Sequence, residues 1–143
     1  MAQRRILLVE DETMIAMMVE DFLIDLGWEV VGLAGSLDNA LAMARDADID
    51  AAVLDVNLNG KDSYDVADIL EGREIPFVFA SGYGAIGICD RFRGVPVLTK
   101  PFQPADLERS LRQAMAGSRN RAMDGPVMSP TKTPSAAAPR SCR

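Results

Sequence analysis

The chain has 143 residues, of which 48% are hydrophobic and 25% are charged, and this composition predicts one globular domain with a substantial buried core. Its formal net charge of −6 is unevenly distributed, because residues 1–117 hold 20 acidic and 10 basic residues while residues 118–143 hold one acidic and five basic residues. The acidic first part argues against binding to a nucleic-acid backbone, and the absence of histidine excludes histidine catalysis, histidine metal ligands and phosphate donation from a phosphohistidine.

Short apolar runs alternate with helical patterns from the start of the chain. The first run, 6–9, is wholly apolar, as expected for a parallel strand that is buried on both faces. The next stretch spaces its apolar residues by three and four positions, which predicts an amphipathic helix ending at Gly27. A weaker strand at 30–33 and a helix capped by Ser36 follow. A third strand at 51–54 leads directly into Asp55.

The same alternation continues in the second half of the chain. Turn residues at 56–60 precede a helix that starts near Asp62 or Ser63, and two more strands are predicted at 76–80 and 95–98. The last helix opens at Pro104, a residue suited to a first helical turn. Between these last two strands, 84–93 predicts only a short or mobile helix, because each of its glycines at 84 and 87 costs about 1 kcal/mol relative to alanine. The alternation as a whole predicts an α/β fold.

The periodic pattern stops at about residue 118. Prolines at 126, 130, 134 and 139 are interleaved with serine, threonine and alanine, which is typical of a disordered segment. We therefore expect a domain at 1–117 and a disordered Pro/Ser/Ala-rich basic tail at 118–143. No apolar run approaches the roughly 18 residues of a membrane span, and no signal-peptide pattern opens the chain. These patterns predict a cytoplasmic protein without membrane contact.

Polar side chains follow four of the five predicted strands. Glu10 and Asp11 follow the first strand, Asp55 the third, Ser81 the fourth and Lys100 the fifth. In a parallel α/β sheet, ligands bind beyond the carboxyl ends of the strands. Two carboxylates about 4 Å apart repel each other by about 4 kcal/mol at an effective dielectric near 20, so this set needs a cation. Oxygen ligands without cysteine or histidine favour a hard cation, Mg²⁺ above all.

The remaining groups of this set suit phosphoryl transfer. The ammonium of Lys100 and the hydroxyl of Ser81 would complete a clamp on a transferring phosphoryl group. Asp55 is placed as the nucleophile, because carboxylates form acyl phosphates. The stretch 7–12 (Leu-Leu-Val-Glu-Asp-Glu), the strand end Val-Leu-Asp at 53–55, Ser81 and Lys-Pro-Phe at 100–102 together resemble the receiver domain of bacterial response regulators. The resemblance covers about residues 4–117.

The resemblance implies a flavodoxin-like (βα)5 fold, with three layers and a doubly wound five-stranded parallel sheet in the order 2-1-3-4-5. It also implies a Mg²⁺ site. Asp11 is expected to bind the metal directly, Glu10 through water, and Asn57 through its backbone carbonyl. Asp55 is expected to be both a metal ligand and the phosphoacceptor.

The resemblance further implies that the Ser81 hydroxyl moves to bond a phosphoryl oxygen, that Lys100 pairs with the phosphoryl group, and that the peptide before Pro101 is often cis. Two departures from the common pattern concern the conformational response. Most receivers carry a rotating aromatic side chain three residues before the lysine, where this chain has Val97. The stretch Phe-Ala-Ser-Gly-Tyr at 79–83 resembles a subfamily with Phe-Ala-Thr-Gly-Tyr and no switch aromatic, often single domains partnered with unorthodox sensor histidine kinases. We therefore look to Tyr83 and 84–87 for this response.

The expected function is that of a stand-alone response regulator in two-component signalling. A sensor histidine kinase or a histidine phosphotransfer protein would phosphorylate Asp55 in the presence of Mg²⁺. The domain would then act through protein contacts, on the face of its fourth helix, fifth strand and fifth helix, or as a phosphate sink in a phosphorelay. It would assist its own phosphorylation and dephosphorylation without turning over a metabolite, as a monomer or weak dimer that binds no DNA.

Two other functions remain open. A magnesium-dependent phosphatase with an aspartyl-phosphate intermediate commonly carries an aspartate as general acid two residues after the nucleophile, where this chain has Asn57. A degenerate receiver that never takes phosphate would serve only as a binding module. The intact Asp11, Asp55, Ser81 and Lys100 argue against that third function.

Overall fold

Five apolar runs form one parallel sheet in the structure, a computed structural model that describes residues 4–84 and 87–124, with side chains up to residue 117. The strands are β1 (Arg4–Val9), β2 (Trp28–Ala34), β3 (Ala51–Asp55), β4 (Phe77–Ser81) and β5 (Val97–Thr99). They lie in the order β2-β1-β3-β4-β5, and every neighbouring pair is parallel. The predicted order 2-1-3-4-5 is confirmed.

Helices cover both faces of this sheet. They are α1 (Thr13–Asp25), α2 (Leu37–Asp46), α3 (Tyr64–Gly72) and α4 (Pro104–Asp124). Alternate residues of a strand point to opposite faces, so Leu7 and Val9 of β1 pack in one core with α2 and α3, whereas Ile6 and Leu8 pack in the other with α1 and α4. The apolar run 6–9 of β1 is therefore buried on both sides of the sheet, and the predicted three-layer architecture is confirmed.

Local sequence chemistry sets several helix ends as predicted. The Ser36 hydroxyl accepts a hydrogen bond from the Asn39 backbone N–H at 3.2 Å and caps α2. Helix α4 begins at Pro104, whose missing N–H costs nothing in a first turn. Gly27 follows α1 with a φ of 96°, a left-handed conformation that glycine adopts readily at a helix end.

The connection from β4 to β5 differs from the four other segments that follow strands. In its described residues it contains a 3₁₀ turn at Asp90–Phe92 and no α-helix, so the short helix expected at 84–93 is corrected to this turn. Gly84 and Gly87 have φ values of 62° and 88°, which are incompatible with a right-handed helix. Phe92 is 1% exposed and supplies the apolar contact that a helix would otherwise make.

Helix α4 runs farther than the sequence pattern indicates. It continues to Asp124, past the predicted domain boundary at residue 117. Among the helix residues whose side chains are described, Leu107, Leu111 and Ala114 are buried. The rest of the predicted tail, 125–143, lies outside the described residues. Among the helices that the structure describes, none combines the length and the apolar character needed to cross a bilayer.

Candidate functional site

The strand register gathers the predicted site residues at one edge of the sheet. Val9 pairs with Leu54, and Asp55 pairs with Ala80, so the ends of β1, β3 and β4 are level. Ser81 pairs with Thr99 at the end of β5. The residues directly beyond these pairs, Glu10 and Lys100, therefore lie beside Asp55 and Ser81.

Three carboxylates form the centre of this edge. Glu10 is 5% exposed and Asp55 is 6% exposed, whereas Asp11 is half-buried. One carboxylate oxygen from each of the three lies within 4.8 Å of the others. Buried carboxylates at this separation repel one another strongly unless cations lie between them.

Lys100 supplies one such cation. Its Nζ donates to Glu10 Oε1 at 3.0 Å and to Asp55 Oδ2 at 3.0 Å. The ammonium therefore bridges the carboxyl ends of β1 and β3 from β5. Charge-assisted bonds of this kind are stronger than neutral ones, and they satisfy two carboxylates that are almost wholly removed from water.

Burial and charge shift the protonation equilibria of the bridged groups. The pKa of Glu10 is raised to about 7, chiefly by burial. The hydrogen bond from Lys100 lowers this pKa, and repulsion from the Asp55 carboxylate raises it. Burial lowers the pKa of Lys100, but its bonds to Glu10 and Asp55 outweigh this effect, and the pKa lies above its usual value. Lys100 is therefore charged at neutral pH, and Glu10 is poised between its two forms.

Backbone N–H groups fix the orientation of all three carboxylates. The Glu12 N–H donates to Glu10 Oε2 at 3.2 Å, and the Asn57 N–H donates to Asp55 Oδ1 at 3.3 Å. The Asn59 N–H donates to Asp11 Oδ2 at 2.9 Å. These bonds hold the carboxylates in place without adding a second positive charge.

Two of these donors belong to a small antiparallel hairpin, in which Asn57–Leu58 pairs with Lys61–Asp62. Its turn residues Asn59 and Gly60 have φ values of 53° and 87°, a conformation that asparagine and glycine tolerate. Asn59 was not predicted to be a site residue. The Asn-Gly pair at 59–60 is a strong hairpin signal and would have indicated the turn, though not its bond to Asp11.

Ser81 lies at the same edge of the sheet, and its hydroxyl bonds the backbone of the turn that follows it. It is 7% exposed, and its Oγ accepts from the Tyr83 N–H at 3.0 Å. Its carbonyl accepts from the Lys100 N–H at 2.9 Å, which aligns the end of β4 with the residue that carries the ammonium. The peptide between Lys100 and Pro101 is cis, as the resemblance implied.

The structure thus brings four predicted site residues into one cluster: Glu10, Asp11, Asp55 and Lys100. Ser81 ends the adjacent strand, and Asn57 joins the cluster through its backbone N–H while its side chain accepts from the Gly60 N–H at 2.9 Å. The cluster offers only oxygen donors to a metal, at mutual distances that one ion spans. This donor set fits Mg²⁺, which prefers carboxylate and carbonyl oxygens and retains part of its water.

Comparisons with known proteins identify the family. Residues 6–112 match the family model described as Response regulator receiver domain. The solution structure of SdrG from Sphingomonas melonis Fr1 is 46% identical, superposes with a TM-score of 0.73, and matches 80% of this chain and 99% of its own.

Two longer regulators are also similar. Transcriptional regulatory protein PdtaR of Mycobacterium tuberculosis is 30% identical over 87% of this chain, and Phyllosphere-induced regulator PhyR of Methylorubrum extorquens is 32% identical over 77% of it. The chain spans 63% of the length of PdtaR and 43% of the length of PhyR. Together with the fold and the acidic cluster, these matches show that the chain belongs to the response regulator receiver domain family.

Proposed function

We propose that this chain is a stand-alone response regulator that accepts a phosphoryl group on Asp55 from a sensor histidine kinase or a histidine phosphotransfer protein. The observation that carries the proposal is the position of Asp55. It ends the central strand β3, is 6% exposed, lies within 4.8 Å of two further carboxylates, and is bonded to Lys100 at 3.0 Å.

The transfer would form one bond and break one. A carboxylate oxygen of Asp55 forms a bond to phosphorus as the bond from phosphorus to the donor's histidine nitrogen breaks, and that nitrogen keeps the electron pair. The Lys100 ammonium then shifts from Asp55 to a phosphoryl oxygen, and the Ser81 hydroxyl donates to another. The Asn57 and Asn59 N–H groups keep the Asp55 and Asp11 carboxylates oriented during the transfer.

Asp11, Asp55 and the Asn57 carbonyl would hold Mg²⁺, with Glu10 acting through water. When bound, the ion would offset the negative charge of the carboxylates and of the transferring phosphoryl group. A solution structure of SdrG, 46% identical to this chain, shows its BeF₃-activated conformation. It supports the proposed phosphorylation of Asp55, because beryllium trifluoride mimics a phosphoryl group on a carboxylate.

The output of this chain would be a protein contact or a drain on the phosphate of a shared kinase, in the cytoplasm and as a monomer or weak dimer. The chain would belong to the subfamily of the Phe-Ala-Thr-Gly-Tyr type, with Ser81 in the place of the threonine and Val97 in the place of the switch aromatic. The anti-anti-sigma factor PhyR from Bartonella quintana is 26% identical to this chain, which covers 51% of that longer protein. A protein rather than DNA is therefore the target that we propose.

Phosphotransfer from a labelled donor tests the proposal. Autophosphorylated sensor histidine kinases from the same genome are mixed with wild-type protein and with Asp55→Asn, with and without Mg²⁺. We expect label on the wild type alone and only with Mg²⁺. Hydrolysis of p-nitrophenyl phosphate by the wild type would instead favour the phosphatase, and labelling of Asp55→Asn would refute Asp55 as the acceptor.

A further inference from the structure

Tyr64 makes two hydrogen bonds to the segment that follows the site strand β4. It is the first residue of α3 and is 4% exposed. Its hydroxyl donates to the Gly87 carbonyl at 3.1 Å and accepts from the Cys89 N–H at 3.0 Å. One hydroxyl thus uses both its donor and its acceptor capacity on the backbone of a single short segment.

The ring of Tyr64 is held independently of its hydroxyl. It stacks on Phe92 with centroids 5.5 Å apart and meets Phe79 edge-on at 5.9 Å. Phe92 is 1% exposed and Phe79 is fully buried. A phenylalanine at position 64 would keep these ring contacts, so the hydroxyl contributes the two backbone bonds and little else to packing.

Two chain segments lead from the candidate site to Tyr64. The hairpin that donates to Asp55 and Asp11 runs directly into α3, and the Ser63 N–H donates to the Val56 carbonyl at 2.9 Å, next to Asp55. The other segment starts at Ser81, whose hydroxyl accepts from Tyr83, and continues through Gly84 to Gly87. The two hydrogen bonds of the Tyr64 hydroxyl therefore join the start of α3 to the segment that follows Ser81.

The Ser81 segment is tightly constrained near its start. A methyl group at Gly84 would lie 3.1 Å from Thr99 Oγ1, so the chain passes close to the end of β5. If the Ser81 hydroxyl turns towards a phosphoryl group on Asp55, the Tyr83 N–H loses its acceptor at 3.0 Å. The turn at 82–84 then loses this restraint, and residues 85 and 86 separate it from Gly87 in the sequence.

We propose that Tyr64 is a positioning residue whose hydroxyl fixes Gly87 and Cys89 against the start of α3, and that phosphorylation of Asp55 loosens these two bonds. The second half of this inference rests on the proposed function, whereas the first half does not. Most receivers carry a rotating aromatic side chain at the position of Val97 on β5. Because valine cannot play that part, we propose that Tyr64 links the site to the following segment instead.

Amide hydrogen exchange of the full chain, followed by NMR, tests the first half. In Tyr64→Phe the Cys89 N–H loses its acceptor, and we expect its exchange rate to rise about tenfold while the β3 amides Val53 and Leu54 stay as in the wild type. Asp68→Asn is the matched control, since it breaks the Arg91–Asp68 ion pair on the same segment without touching Tyr64. Unchanged exchange at Cys89, an equal rise at Val53 and Leu54, or an equal rise in Asp68→Asn would overturn the inference.

The same measurement with Mg²⁺ and acetyl phosphate tests the second half. We expect phosphorylation to speed Cys89 exchange in the wild type and to leave it unchanged in Tyr64→Phe, where the bond is already missing. Equal phosphorylation effects in both proteins, or no effect in a phosphorylated wild type, would overturn this half. The intact mass of the same samples shows whether phosphate was taken up. An absent mass gain counts against the proposed function, whereas the positioning role of Tyr64 is tested independently by the exchange rates of the unphosphorylated proteins.

Discussion

Lys100 allows two almost fully buried carboxylates to lie side by side. Its Nζ is 3.0 Å from both Glu10 and Asp55, which come from strands 45 residues apart in the chain. The ammonium is itself mostly buried, with 20% of its side chain exposed. Removing one partner of a buried ion pair leaves an uncompensated charge, which destabilises a fold more than the loss of an exposed pair.

Lys100→Met should therefore lower the free energy of unfolding of the metal-free protein by about 2–3 kcal/mol, below the value for a fully buried pair because the side chain is partly exposed. Urea unfolding in EDTA measures this change. Lys61→Met is the matched control, because Lys61 is exposed and its removal should change stability by less than about 0.5 kcal/mol. Equal effects of the two substitutions would refute the bridging role of Lys100.

The raised pKa of Glu10 predicts a pH dependence of stability. The folded protein holds a proton on Glu10 up to about pH 7, whereas the unfolded chain loses it near 4.5. This contribution to stability is fully present below pH 4.5 and is lost as the pH rises through 7. Glu10→Gln remains uncharged throughout, so without metal we expect the wild type to lose stability relative to Glu10→Gln between pH 5 and pH 8. A difference between the two that is the same at both pH values would contradict this account.

Most residues of the candidate site could be predicted from the sequence, but some of their contacts could not. The carboxylates, Ser81 and Lys100 were identifiable because each ends a strand or lies one or two residues beyond it, and parallel strands end at one edge. The bond between Lys100 and Glu10 was not predicted, since residues 90 positions apart meet only through the sheet register. Tyr64 was missed for the same reason, because its hydroxyl bonds backbone groups 23 and 25 residues away and no local pattern marks it.

Among the elements, the connection from β4 to β5 has a backbone conformation that depends on its glycines, since Gly84 and Gly87 both have positive φ values. The strands and all four described helices were predictable from local features: apolar spacing, the turn residues before α3, Ser36 and Pro104. The 3₁₀ turn at Asp90–Phe92 was not, because Phe92 is placed by contacts with Tyr64, Phe77 and Phe79 from other elements. The low helix propensity of 84–93 indicated that a helix there would be weak, but it did not indicate the 3₁₀ turn that the structure has instead.

Gly84→Ala should destabilise the protein by about 1–3 kcal/mol, because a φ of 62° strains an alanine and its methyl group would meet Thr99 Oγ1 at 3.1 Å. Thermal unfolding measures the loss. Gly72→Ala is the counterpart, since Gly72 ends α3 with open space around it. That change should be neutral or stabilise by up to about 1 kcal/mol. A Gly84→Ala protein as stable as Gly72→Ala would show that the positive φ is not required.

At the scale of the whole molecule, the chain combines an acidic domain with a basic C-terminal segment. Residues 1–117 have a balance of −10 (10 basic minus 20 acidic), and residues 118–143 have a balance of +4 (five basic minus one acidic). The sequence pattern placed the boundary at residue 117, where apolar periodicity ends. The helix nevertheless continues to Asp124, because a helix that is already formed extends through polar residues at little cost per residue.

We propose that the stable unit ends with α4. A chain cut after residue 124 should keep the melting temperature and the phosphate uptake of the full chain. A chain cut after residue 117 keeps the buried Leu107, Leu111 and Ala114 and should lose no more than about 1 kcal/mol, the scale of surface changes. Calorimetry compares the three proteins, and a large loss on cutting after residue 124 would show that the following segment is part of the folded domain.

Intact mass spectrometry shows whether Asp55 accepts a phosphoryl group. Wild-type protein and Asp55→Asn are incubated with acetyl phosphate, with Mg²⁺ or with EDTA, and a phosphorylated kinase replaces acetyl phosphate in a second series. We expect a gain of one phosphoryl mass in the wild type with Mg²⁺, and no gain in EDTA or in Asp55→Asn. No gain from either donor, or an equal gain in Asp55→Asn, would contradict the proposed role of Asp55.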